Sequence, residues 1–137
     1  MTASTLTPTD RASFNRAMAD VLSEHATLRR LAVIASRRSC FCADDAMSLA
    51  DAMAAHESAE ARLFALPFLT RPPESVTATA ARASRRCIEY TSGNFRLPDP
   101  SAAAALFIEA LLAHIAAEEA WLAHEEQYQN ERLRISA

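Results

Sequence analysis

A single glycine in 137 residues leaves little room for a β architecture built on tight hairpins, whose turns draw on Gly, Asn and Asp. Aromatic residues are also few, at six Phe, two Tyr and one Trp, while Ala, Leu, Arg and Glu abound. Together these shortages point to an all-helical chain. No sign of charge dominates either, with 14 basic against 17 acidic residues and a net charge of −3. That balance offers no electrostatic footprint for nucleic acid and no polybasic patch for a membrane surface, so neither partner is expected. Met1 to Asp10 lacks the basic start and apolar run of a signal peptide, and no later segment reads as an uninterrupted apolar span. The expected location is cytoplasmic.

Cysteine is scarce and odd in number: Cys40, Cys42 and Cys87 do not make a disulfide framework. Cys40-Phe41-Cys42 has the form of a redox or soft-metal pair, against the commoner behaviour of free thiols as small hydrophobes packed at a helix end.

What the chain does have is apolar periodicity. Half of its residues are hydrophobic, and the length suits one domain, residues 1–137, with 1–9 frayed. A first helix is expected from a cap at Thr9 or Asp10 to about Arg38, with an inward stripe of Phe14, Met18, Val21, His25, Leu28 and Ala32. Arg16, Arg29, Arg30, Arg37 and Arg38 fall largely on its solvated face. A second helix, capped by Asp44 or Asp45 and ending near Leu69, carries Leu49, Met53, His56, Glu60 and Leu63 inward, with Pro67 in its last turn. A third is expected from Pro73-Glu74-Ser75 to Ser92, closed by Gly93-Asn94, with Val76, Ala80, Ala83, Cys87 and Tyr90 inside. Asp99-Pro100-Ser101 starts a fourth, running to about Arg132 with Phe107, Leu111, His114, Glu118, Trp121 and Glu125 inward and His124 on the surface. Four helices joined by short loops favour an antiparallel up-down-up-down four-helix bundle.

The functional signal is a repeated pair. His56 and Glu60, and again His114 and Glu118, stand four residues apart on apolar stripes, so each pair offers a nitrogen and an oxygen in one direction. Residues on antiparallel neighbours share a height when the middle of the intervening sequence falls in the connecting turn. The midpoint from His25 to His56 falls at Cys40/Phe41, and that from His56 to Cys87 at Arg71/Pro72. The midpoint from Cys87 to His114 falls at Pro100/Ser101, at the end of the third loop. His25, His56, Cys87 and His114 are therefore expected in one layer, with Glu60 and Glu118 a turn away. Buried carboxylates among imidazoles call for a compensating cation, and this donor set suits iron, manganese or zinc better than calcium or magnesium.

These residues resemble the hemerythrin-like family, the HHE cation-binding bundles, over nearly the whole chain. His25 resembles the family's first-helix histidine, His56-Glu-Ser-Ala-Glu60 its second-helix motif and His114-Ile-Ala-Ala-Glu118 its fourth. Leu63-Phe64-Ala-Leu66-Pro67 looks like the usual sequel to the second-helix motif. The resemblance implies a non-haem iron centre, di-iron or mononuclear, that binds, senses or handles O2, NO or iron. His25, His56 and His114 would be nitrogen ligands and Glu60 and Glu118 bridging or terminal oxygen ligands. The departure is on the third helix, where the expected histidine is absent and Cys87 stands in its place, with Glu89 and Tyr90 nearby. A metal-free bundle serving as an interaction or regulatory module, and a di-metal oxidative enzyme, are the alternatives.

Overall fold

The computed structural model describes residues 6–92 and 100–136, without the side chains of 100 and 133–136. It consists of four helices, α1 (Pro8–Ser36), α2 (Ala43–Phe64), α3 (Glu74–Thr91) and α4 (Pro100–Ser136), with no strand among the described residues. The fold class is therefore all-α, as the composition implies.

Local chemistry sets the helix ends, and some differ from the sequence expectation. α1 starts two residues before Asp10: Thr7 is the N-cap, its side chain accepts from the Asp10 N–H, and the Asp10 carboxylate accepts in return from Thr7. That reciprocal box satisfies two orphan donors, and Pro8 at the first helical position loses nothing because its missing N–H would have been unpaired. α2 begins after Cys42 rather than at a capping aspartate, with Asp44 and Asp45 in its first turn, where their charge complements the helix dipole. It ends at Phe64, not near Leu69, because Pro67 supplies no N–H and disfavours a helical residue before it. α3 matches expectation, and α4 runs past Arg132 to Ser136. The expected Gly93-Asn94 closure and Asp99 cap lie outside the described residues.

α1 packs on α2 and α4, and α3 on α2 and α4, so the four helices form a ring. Arg38, just beyond α1, pairs with Asp45 in the first turn of α2, and His25 meets His56 deeper in both helices. α4 is the longest helix at 37 residues, about 55 Å at the α-helical rise, and twice the length of α3. Its later turns face the α2–α3 connection. Glu125 there accepts from the Thr70 backbone N–H and hydroxyl, while Gln129 and Arg132 both donate to the Phe68 carbonyl. Buried Glu125 and Gln129 thus supply partners to a connection that has no helix of its own.

α4 also qualifies the expectation that no segment has the profile of a membrane span. Ser101–Arg132 is long and apolar enough by length and composition, a profile that core helices share. Its inward stripe nevertheless carries His114, Glu118 and Glu125.

The interior is layered. One apolar cluster contains Leu28, Leu49, Met53, Ala83, Cys87, Tyr90, Phe107 and Ile115, and a second contains Phe14, Val21, Ala59, Leu63, Val76, Trp121 and Leu122. On every helix the two clusters are separated by a short gap. The gap falls between Val21 and Leu28 on α1, Met53 and Ala59 on α2, Val76 and Ala83 on α3, and Ile115 and Trp121 on α4. His25, His56, Thr79 and Glu118 occupy those gaps.

Candidate metal centre

Three imidazoles and two carboxylates meet in this layer, all buried: His25 and Glu118 are 0% exposed, His56 and His114 1%, and Glu60 8%. His56 stands in the middle, its ring centroid 5.0 Å from that of His25 and 5.3 Å from that of His114. The ligand atoms of His56, Glu60, His114 and Glu118 lie within 4.8 Å of one another, a group able to hold a metal ion. His25 joins through its Nε2, 3.1 Å from His56 Nε2 and 2.9 Å from Glu118 Oε1.

The two oxygens of Glu118 serve different sides. Oε1 is also 3.1 Å from His56 Nε2, whereas Oε2 looks toward His114 Nε2 at 3.6 Å, beyond hydrogen-bond reach. Glu60 divides in the same way, with Oε1 3.3 Å from His56 Nδ1 and Oε2 3.2 Å from His114 Nε2. Each carboxylate therefore spans from one histidine to another. The triangle of His25 Nε2, His56 Nε2 and Glu118 Oε1 has edges of 2.9 to 3.1 Å. Donors at right angles around an ion with bonds of about 2.1 Å lie about 3 Å apart, so this face has the spacing of a coordination sphere. Two of the buried atoms, His56 Nδ1 and Glu118 Oε2, have no hydrogen-bond partner. Bare lone pairs in an apolar interior are costly, and a cation is one way to satisfy them.

Their surroundings push the two carboxylates in opposite directions. Burial raises the Glu60 carboxyl, His114 offsets part of that rise, and Glu118 adds to it. Burial also opposes a charge on Glu118, but hydrogen bonds from His25 and His56 outweigh it and hold its pKa well below the ordinary range. Two like charges this close oppose one another, so the pair favours a charge on Glu118 over one on Glu60. Burial lowers His114 too, yet Glu60 and Glu118 outweigh it and its pKa lies above the usual value.

A second layer of side chains orients the histidines. His25 Nδ1 is 2.8 Å from Glu119 Oε2, and Glu119 is gripped by the Arg29 guanidinium through bonds of 2.9 and 2.8 Å. The Arg29 hydrogen bond, against some burial, holds the Glu119 carboxyl below its ordinary pKa. On the opposite flank His114 Nδ1 is 3.1 Å from the Thr79 hydroxyl. Thr79 sends its own proton back to the Ser75 and Val76 carbonyls, which leaves its oxygen free to accept from His114.

The structure thus brings together His25, His56, Glu60, His114 and Glu118, and it does not bring Cys87 to them. Cys87 packs in the apolar cluster of Leu49, Met53 and Tyr90, and burial, with a contribution from Glu57, pushes its thiol up to about 11. A thiol that stays protonated at neutral pH is a poor ligand. The height argument placed it in the layer by carrying α2 on to Leu69; with α2 ending at Phe64, the position level with His56 shifts toward Thr79 and Ala83. Tyr90 also belongs to the apolar cluster, and Glu89 pairs with Arg86. Arg29, Glu119 and Thr79 escaped the sequence reading, which placed Arg29 on a solvated face. The signals present were the tandem Glu118-Glu119 and the four-residue step from His25 to Arg29. His124 is exposed, as expected.

Cys40 is exposed and Cys42 half-buried, so neither is the buried hydrophobe that free thiols commonly become. Both line a cavity of about 400 Å3 with Arg38, Phe41, Tyr90 and Ile108, at the α1–α2 connection and away from the histidines. In comparisons with known proteins, no family model, curated protein or solved structure matches the chain.

Proposed function

We propose that the chain is a non-haem metal-binding bundle of hemerythrin-like type, whose centre holds iron and binds, senses or handles a small ligand such as O2 or NO. The observation that carries this reading is the buried set of three imidazoles and two carboxylates, with His56 Nδ1 and Glu118 Oε2 unpartnered. A hydrophobic packing of the same volume would cost less than this set of polar groups unless a cation repays their burial. Mixed nitrogen and carboxylate oxygen donors suit iron, with manganese and zinc as the next candidates.

His25 and His114 would hold the metal by Nε2, His56 by a ring nitrogen, and Glu60 and Glu118 by their carboxylate oxygens. Bound iron would supply a Lewis-acidic, redox-active centre for a small ligand. Glu118, whose carboxyl is held low, favours a nearby cation, and a cation would in turn favour the ionised form of Glu60. The apolar clusters above and below the layer keep water from the donors. The donor set without a third-helix histidine fits one ion or an unevenly held pair.

The decisive experiment is metal analysis of protein purified without a polyhistidine tag, with an absorption spectrum before and after Fe(II) is added in air. Bound iron with ligand-to-metal charge-transfer bands is the expected result. An absence of uptake, together with no loss of stability in His56→Ala, would sink the reading. One observation favours a metal-free interaction module instead: the other histidine nitrogens, Glu118 Oε1 and Glu60 Oε2 have partners within the protein. That alternative predicts no metal uptake but a marked loss of stability when His56 is removed.

A further inference from the structure

We propose that Glu119, anchored by Arg29, is a positioning residue that fixes the His25 ring with its Nδ1 proton outward and its Nε2 toward the cation. The inference rests on the metal-binding reading for its effect on affinity, but not for its effect on the ring. Glu119 Oε2 is 2.8 Å from His25 Nδ1, and the Arg29 fork occupies both Glu119 oxygens at 2.8 and 2.9 Å. A carboxylate held by a guanidinium can only accept, so the proton in the His25–Glu119 bond belongs to Nδ1. Nε2 is then the atom that faces His56 Nε2 at 3.1 Å and Glu118 Oε1 at 2.9 Å.

The pair also joins two elements. Arg29 lies one turn beyond His25 on α1, and Glu119 follows Glu118 on α4, so a single chain of bonds ties the histidine's helix to the carboxylate's. It runs from the surface inward, through Arg29 at 47% side-chain exposure and Glu119 at 29% to a fully buried imidazole. Solvent weakens the Arg29–Glu119 pair as a source of stability. Its geometric role, restricting where the Glu119 oxygens point, does not depend on a large energy. Carboxylates placed behind metal-bound histidines set both the tautomer and the ring plane.

The test uses the full chain with Zn(II) as the probe cation, read by competition with a chromophoric chelator, together with nitrogen NMR of the histidine rings in the metal-free protein. Glu119→Ala is expected to weaken Zn(II) binding about 10- to 100-fold, in the range seen when such outer partners are removed. Glu119→Gln, which keeps an accepting oxygen, should fall between it and the parent, and Glu126→Gln on the same helix should match the parent. In the parent the His25 signal should show a proton on Nδ1, and in Glu119→Ala Nδ1 should lose it, because Glu118 Oε1 then faces Nε2 alone. Unchanged affinity in a folded Glu119→Ala overturns the proposal, and so does a loss of affinity with an unchanged ring signal. If the parent takes up no Zn(II), the metal reading fails, while the ring signals of parent and variant still decide whether Glu119 positions His25. If Glu119→Ala does not fold, Arg29→Gln on the surface repeats both comparisons with the carboxylate kept but its anchor removed.

Discussion

The α1 flank of the polar layer has a full charge behind its histidine, and the α3 flank has neutral groups, the Thr79 hydroxyl and the Val76 backbone. His25 leans on Glu119 and Arg29, whereas His114 leans on Thr79, whose oxygen is neutral and whose proton is committed to its own helix. The α1 helix also inserts an imidazole of its own into the layer, whereas α3 places no imidazole or carboxylate in the cluster. Both flanks bury their histidines equally well, so burial alone does not separate them. What differs is how firmly each ring nitrogen is told which way to face, and how much negative charge supports a cation on that side.

Glu118 is the one group that serves both flanks, and removing it should produce the largest effect. Glu118→Ala leaves His25 Nε2 and His56 Nε2 3.1 Å apart without their shared carboxylate. The expected loss is about 3 kcal/mol in urea denaturation, together with abolished cation uptake on either side. Retention of parental stability would mean the two flanks do not depend on a common charge.

Acid and base should act on opposite members of the cluster. Glu118 has a depressed pKa, so its contribution is present above the unfolded value and is lost as pH falls through the folded one. Glu60 and His114 have raised pKa values, so theirs is complete below the unfolded values and is lost as pH rises through the folded ones. Thermal melts of chelator-treated protein should therefore show stability falling on both sides of a maximum in mildly acidic solution. Added cation should flatten the alkaline side, because it replaces the protons lost there.

Thr79→Val tests the weaker flank. Losing the hydroxyl should cost about 1 kcal/mol by denaturation, the usual worth of a single neutral hydrogen bond. Its effect on cation affinity should be smaller than that of Glu119→Ala. The reverse order would show that the α3 side dominates.

The smallest expected change in occupancy comes from Cys87→His. An imidazole there enters the Leu49, Met53 and Tyr90 cluster rather than the polar layer, so bound metal per chain should not rise. Thiol labelling of the native protein gives a companion measurement. Exposed Cys40 should react quickly at mildly alkaline pH and Cys87, buried with its thiol near 11, slowly.

The sequence made the helical stripes legible because inward residues recur with helical spacing, and Phe14, His25, His56, Leu111, His114 and Glu118 all lie where that period puts them. The two His-x-x-x-Glu pairs were legible for the same reason. Cys87 was misplaced because height across a loop depends on where helices end, and a few residues of error at Phe64 move the partner position by more than a turn. Glu119 and Thr79 were hidden for a different reason. A residue beside an inward stripe reads as surface, and only the neighbouring helix reveals that its polar atom reaches back to a ring.

Glu118 and Glu125 sit on the same face of α4, two turns apart, and each is bound to a different part of the molecule. One engages the histidines and the other the segment between α2 and α3, so the helix is pinned at two points along its axis. Neither a slide nor a rotation of α4 can preserve one attachment while changing the other. A single residue inserted between Leu122 and Glu125 would turn the second pin away from Thr70 by about 100° while leaving the first in place. The position of the α2–α3 connection, and with it the height of α3, is in this sense measured off from the histidine layer by the pitch of one helix.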